Sequence, residues 1–391
     1  MERPHATQTT SMKKFNPIIL ISLISAFICL SMNTFAQRHF VHPGLLQSQA
    51  SLDKIYYAVQ NKTEPQYGSY ELLEENPLAQ ADYKMRGPFK IIARDGDYKY
   101  TKPKMEADFS AAYLNALMWA ATKKETHAKK SLEILEAYAD SLQLIPPTND
   151  APLLAGLEGN KIVNAAEILR YTYKGITASQ IEKIKKMIVK VFLPVCDNFY
   201  NQPPYTNGNW GACVTNMYLG SAVFLDNLKM YNKAVDFYLN GYDNGNVKHY
   251  IDSLTGQVQE SGRDQVHTML GIGCLASTCE IAYNQGDDLY SAYNNRLLLG
   301  FEYVAKYNLG YNVPFQTYKE VTGKYSNLSK ISDKDRGMLI PIYEMVYNHY
   351  VRIKDFQMPY TAKMIAKMQP EGFDSAHMGF GTLLFYSRDN H

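Results

Sequence analysis

Residues 109–123 read FSAAYLNALMWAATK and residues 125–141 read ETHAKKSLEILEAYADS. In both, apolar side chains recur at three- and four-residue spacing, the period of a helix with a buried face, and only Lys124 separates them. The pair predicts a helical hairpin. The same period predicts helices over 161–173, 178–198, 210–225, 227–240, 262–283, 289–307 and 335–351. Joints such as Gly175-Ile176-Thr177 and Gln285-Gly286-Asp287 are short. Strand signals are thin: 248–252 and 257–260, flanking Leu254-Thr255-Gly256, predict at most one hairpin, and 380–386 reads as a short strand or a last helix. Helical hairpins without a constant-length repeat predict a mainly all-α chain, as either a closed (α/α) toroid or an open solenoid.

Upstream, Lys13-Lys14 precede an apolar run from Ile18 to Leu30 and a small-residue stretch ending at Ala36. That order predicts a secretory signal over residues 1–36, with Met12 an alternative start, and an exported single domain over 37–391. Removing Glu2, Arg3, Lys13 and Lys14 with the signal takes the formal charge of +2 to zero, so a basic nucleic-acid footprint is excluded as the main theme. No later run is long and apolar enough to span a bilayer. With 46% hydrophobic and 20% charged residues the chain can bury a large core, and it reads as a monomer. The 31 tyrosines against 2 tryptophans suit a surface that stacks on and hydrogen-bonds to sugars, although helix packing accounts for most. Cys196, Cys213, Cys274 and Cys279 show no metal-ligand spacing, so buried thiols or one disulfide are expected, with no cofactor and no metal.

In a closed ring the inner helices start at one rim, and catalytic groups are expected at those starts. Two segments fit. The first is Tyr205-Thr206-Asn207-Gly208-Asn209-Trp210-Gly211, polar amides on a glycine-kinked loop before an apolar helix, in which Asn209 is either a functional amide or an N-cap. The second is Gln259-Glu260-Ser261-Gly262-Arg263-Asp264-Gln265-Val266-His267-Thr268. Ser261 and Asp264 have capping-box spacing, which starts a helix near Gly262 and puts Arg263 and His267 on one face of its first two turns.

Most of the chain, from about Leu45 to Gly381, resembles the alginate lyase superfamily, and especially the exported Bacteroidetes branch grouped as polysaccharide lyase family thirty-eight. The residues that carry the likeness are Gly87-Pro88-Phe89, AAYLNALMW from Ala111, NDAPLLAGL from Asn149, VNAAEILR from Val163, NGNW from Asn207, ESGRDQVHTMLGIG from Glu260, NRLLLGFEYVAKYNLG from Asn295 and PIYEMVYNHY from Pro341. The resemblance implies a helical toroid that cleaves 4-linked polyuronates by β-elimination. Related enzymes carry an Asn-His pair before one helix and an Arg with a Tyr on the next; here Trp210 follows Asn209, and the Arg263 helix has no Tyr at the matching spacing.

Removing H5 of a uronate requires that the adjacent carboxylate be neutralised, a task that suits Asn209 and Arg263. A base must take H5 and an acid must protonate the departing O4. When both lie on one face of the sugar, as in mannuronate and glucuronate, one tyrosine can do both. Tyr307, and after it Tyr303, are the candidates, with His267 as neutraliser, orienter or base. Arg86 and Arg336 are candidate carboxylate clamps, and Tyr205, Asn207, Trp210 and Gln265 complete the expected substrate-binding set. Mannuronate-rich alginate and glucuronan are the leading substrates, and activity is expected to survive chelation. Two other readings stay open. A glycosidase or unsaturated-uronide hydrolase would need two positioned carboxylates, for which Glu260 and Asp264 are the nearest pair; a non-catalytic glycan-binding protein would need neither Arg263 nor His267.

Overall fold

The computed structural model describes Met1 and residues 39–202, 208–318 and 325–387. The signal reading, Tyr205 and Asn207 therefore lie outside the described residues. The described residues form fifteen α-helices. They are α1 (Gln49–Gln60), α2 (Gln66–Glu74), α3 (Lys102–Thr122), α4 (Glu125–Ser141), α5 (Ala151–Thr172), α6 (Ala178–Met187), α7 (Leu193–Asn201), α8 (Gly208–Phe224), α9 (Leu228–Asn240), α10 (Val247–Tyr250), α11 (Gln265–Asn284), α12 (Ala292–Asn308), α13 (Tyr343–Tyr347), α14 (Pro359–Met368) and α15 (Gly381–Phe385). A π-turn over Ile188–Phe192 joins α6 to α7, and another, Asn348–Ile353, extends α13.

Burial sorts the helices into two layers. Every residue of α8 is buried, and α5 is buried from Ala151 to Leu169, so both are enclosed on all sides. By contrast α4 buries only one stripe, from His127 and Ala128 through Leu135 to Tyr138, and leaves the other face to solvent. The ring runs in sequence, α1 on α3, α3 on α5, α5 on α8, α8 on α11, α11 on α13 and α13 on α15, and α15 packs back on α1 and α2. That last contact closes the ring and decides for a toroid over a solenoid. Helices α4, α9, α12 and α14 form the outer layer on their sequence neighbours. Neighbouring inner helices approach closely where side chains are small: a Cβ on Gly156 of α5 would overlap the backbone of Cys213 in α8. Among the described residues no helix is long and apolar enough to cross a membrane.

Four expectations need correction. The hairpin at 248–260 is a single antiparallel bridge between Ile251 and Val258, because Asn246 caps Val247–Tyr250 as a helical turn. Helix α11 starts at Gln265, with Asp264 as its N-cap, and 259–262 forms a separate 3-10 turn. The helix expected from Asp335 begins only at Tyr343, since Gly337 adopts a left-handed φ of 85° and Pro341 breaks the pattern. The outer helix expected from Leu289 carries a left-handed turn at Tyr293, Asn294 and Asn295.

Candidate active site

The starts of α8 and α11 are wedged apart and held in register by Tyr250. Its ring fills the space that a Cβ on Gly208 would take, and its hydroxyl the space of one on Gly271. That hydroxyl donates to Glu260 Oε2 at 3.0 Å, and Gln259 Oε1 accepts from the Gly208 N–H at 2.9 Å. The 3-10 turn before α11 is thus bonded to the first turn of α8.

Around Arg263 the polar atoms form one network. Its Nη1 donates to Glu260 Oε1 at 2.9 Å and to the Tyr325 hydroxyl at 3.2 Å, while Nη2 meets His267 Nε2 at 3.0 Å. A guanidinium can only donate, so His267 Nε2 accepts and the ring proton sits on Nδ1. Nδ1 in turn donates to Asp264, whose two carboxylate oxygens lie 2.8 Å away. Asp264 also accepts from the His267 backbone N–H, so one carboxylate caps the helix and fixes the imidazole tautomer. Burial pushes the Asp264 carboxyl up, but the His267 hydrogen bonds and the Arg263 charge outweigh it and hold it at about 2. Glu260 is fully buried, and burial moves its carboxyl up against the charge of Arg263 and the hydrogen bonds from Tyr250 and Arg263. Burial and then the Glu260 charge push the Tyr325 hydroxyl up to about 12, against the pull of Arg263. Arg263 and His267 keep 29% and 31% of their side chains exposed, so this network opens to solvent at the rim.

Asn209 is different. It lies inside the first turn of α8, so it is not the N-cap, and neither its amide nitrogen nor its oxygen has a hydrogen-bond partner although the residue is fully buried. Such an orphaned amide costs on the order of 1–3 kcal/mol, which a site that later supplies the partner repays. Trp210 beside it lines a cavity of about 540 Å³ with Pro147, Asn149, Pro152, Asn198 and Gln202.

The other expected residues lie apart from this network. Tyr303 donates to the Pro314 carbonyl at 2.9 Å and Tyr307 to Asp333 at 2.6 Å. Burial, reinforced by that bond, pushes the Tyr307 hydroxyl up to about 12. Arg336 is not at the start of an inner helix: its guanidinium stacks 3.9 Å over the Tyr307 ring and its Nε donates to the Tyr307 carbonyl. Gln265 is buried, and its amide donates to the Ser261 and Ser332 carbonyls and accepts from Asn308. Arg86 is exposed beside Gly87, where the Asp108 carboxylate accepts both backbone N–H groups. Sequence reasoning missed Tyr325, which reaches Arg263 from a stretch without periodicity, 62 residues away. Glu260 and Asp264 are both committed, the first to Arg263 and Tyr250 and the second to His267, so neither stands ready as half of a hydrolytic carboxylate pair.

Comparisons with known proteins bear on the fold and the family. No curated protein matches the sequence. Among solved structures, alginate lyase A1-III complexed with a tetrasaccharide is 14% identical, with a TM-score of 0.63 over 86% of this chain and 94% of that one. The A1-III structure from Sphingomonas species A1 gives 0.61 at 14% identity over 86% and 95%. An alginate lyase from Bacteroides ovatus gives 0.57 at 13% identity, covering 89% of this chain and 100% of that one. At such identities these likenesses carry the toroid fold alone. The alginate lyase family model, however, matches residues 51–313, from within α1 to just past the end of α12, a stretch that holds Glu260, Arg263, Asp264 and His267 but not Tyr325, and a match of that extent makes the chain a member of the alginate lyase family and a polysaccharide lyase.

Proposed function

We propose that the protein is an exported alginate-degrading lyase that acts by metal-independent syn β-elimination, with mannuronate-rich alginate the leading substrate and glucuronan the next. The observation that carries this reading is the Arg263 network: one guanidinium touches a tyrosine hydroxyl and an imidazole at a half-open rim. In this reading the uronate carboxylate takes a hydrogen bond from the Asn209 amide and the charge of Arg263, which stabilises the carbanion as H5 leaves. Tyr325, rather than Tyr307 or Tyr303, takes H5 and returns the proton to O4, while the Asp264–His267 pair holds Arg263 in place. A single tyrosine beside the guanidinium reaches H5 and O4 only when they share a face, which is why guluronate is disfavoured. The partner is therefore an acidic polysaccharide, and Trp210 and the exposed Arg86 are rim groups for neighbouring sugars.

The test is to incubate the protein with a panel of polyuronates and follow the ultraviolet absorbance of the C4–C5 double bond. No chromophore on any substrate refutes the lyase reading, and a response to guluronate blocks alone refutes the syn geometry. On the active substrate Tyr325→Phe should lower kcat by about 10²-fold or more, the scale of losing a positioned acid–base group, while Tyr303→Phe and Tyr307→Phe stay within about threefold. Because the base form of a hydroxyl at about 12 gains tenfold per pH unit, kcat/KM should climb through the neutral and mildly alkaline range. A kcat/KM that stops rising within the neutral range would refute Tyr325 as the base and transfer the role to His267.

A further inference from the structure

Helices α8 and α11, which bear Asn209 and His267, pack side by side. Cys213 follows Asn209 by one turn on α8, and Cys274 follows His267 by two turns on α11. Their sulfurs approach to 2.9 Å inside the core, closer than non-bonded heavy atoms of that size rest. The other two described cysteines meet different atoms, Cys196 the Met217 sulfur at 3.8 Å and Cys279 the Tyr238 hydroxyl at 3.0 Å. The Cys213–Cys274 contact is therefore specific to the pair of helices that frame the site.

We propose that Cys213 and Cys274 form a disulfide that braces α8 against α11 directly beneath the candidate active site. The inference rests on the export reading, which supplies an oxidising compartment, and not on the identity of the substrate. The oxidant is a disulfide-bearing thiol oxidase or oxidised low-molecular-weight thiol of that compartment. The thiolate of one cysteine attacks the oxidant's disulfide, which forms a mixed disulfide and releases one oxidant thiol. The second cysteine's thiolate then attacks the protein sulfur of that mixed disulfide, the Sγ–Sγ bond forms, and the second oxidant thiol leaves. Two protein thiols are oxidised, one oxidant disulfide is reduced to two thiols, and protons balance. Both cysteines are buried in the finished fold, and burial pushes the Cys213 thiol well above its ordinary value, so exchange belongs to the folding chain rather than to the native surface.

The experiment uses the full chain exported into an oxidising periplasm. The purified protein is unfolded without reductant, alkylated and mapped by mass spectrometry. The expected result is alkylation of Cys196 and Cys279 only, together with a linked Cys213–Cys274 peptide pair that disappears on reduction. Alkylation of all four mature cysteines, or linkage of any other pair, overturns the proposal. A second arm unfolds and reduces the protein, then refolds it with or without oxidised glutathione. Closing a loop of 61 residues should raise the Tm of the oxidised sample by about 5 °C. Equal melting temperatures would overturn the bracing role, and a lyase-negative protein that still forms the pair would leave this proposal standing while the functional reading falls.

Discussion

The starts of α8 and α11 face each other across Tyr250, yet they are built in opposite ways. At α11 the charged groups are engaged: Arg263 bridges Glu260, Tyr325 and His267, and Asp264 caps the helix while it holds the imidazole. At α8 the Asn209 amide is buried with no partner for either of its polar atoms. The difference teaches a division of labour. The α11 side is preorganised, its charges fixed before anything binds, which is the arrangement that stabilises developing charge without reorganisation. The α8 side holds an unmet hydrogen-bonding demand, and in the proposed mechanism the substrate carboxylate would accept from the Asn209 amide nitrogen.

The largest expected effect comes from breaking the preorganised side. Arg263→Ala should lower kcat/KM by about 10³-fold, the upper end for losing one group that meets developing charge. It should also destabilise the fold, since fully buried Glu260 loses its cationic partner. Asn209→Ala should cost about 10²-fold in kcat/KM yet leave Tm unchanged or slightly higher, because the substitution deletes an unsatisfied buried amide. Activity measured beside thermal melting separates the two sides. If Asn209→Ala melts several degrees lower at full activity, the amide is structural and the contrast collapses.

How much of this was legible depends on what set each position. The ring of helices was readable because period 3.6 follows from burial, and the sequence pattern records burial directly; α4 and α9 show it as stripes. Helix α2 escaped because it is short and buries little beyond Tyr70 and Leu73, whereas α1 escaped although its Leu52, Ile55, Ala58 and Val59 keep the helical spacing. The pairing of Arg263 with His267 was readable because a four-residue spacing is local, even though Arg263 proved to precede the helix. Tyr325 was not, because its contact with Arg263 is made by tertiary packing of an irregular stretch that carries no period. Tyr307 looked better placed by helix geometry, but Asp333 and Arg336 already occupy its hydroxyl and ring. The helix signal over 335–351 misled for a nameable reason, since Gly337 and Pro341 outweigh the apolar spacing around them.

A third inner helix sharpens the comparison with the smallest effect, and one on stability alone. The first N–H groups of α13 are met by a carboxylate: Glu371 Oε1 accepts from Tyr343 and Glu344 at 3.1 Å each, and nothing in the Arg263 network touches it. Burial, then the neighbouring Glu344 charge, pushes the Glu371 carboxyl up to about 8, even though those backbone hydrogen bonds and Arg352 pull it down. A carboxyl raised from 4.5 to about 8 keeps its proton in the native state over a range where the unfolded chain has released it. Its contribution is therefore fully present below about pH 4.5 and is lost as pH rises to about 8, at up to about 1.4 kcal/mol per pH unit. Glu371→Gln keeps an oxygen for the two N–H groups but cannot ionise, so its stability should fall less steeply across that window, with kcat near wild type at neutral pH. Urea unfolding of both proteins at pH 5, 6.5 and 8 reads the difference. Parallel stability curves would mean that Glu371 ionises at no cost in the fold, and that the start of α13, like that of α11, tolerates a buried charge.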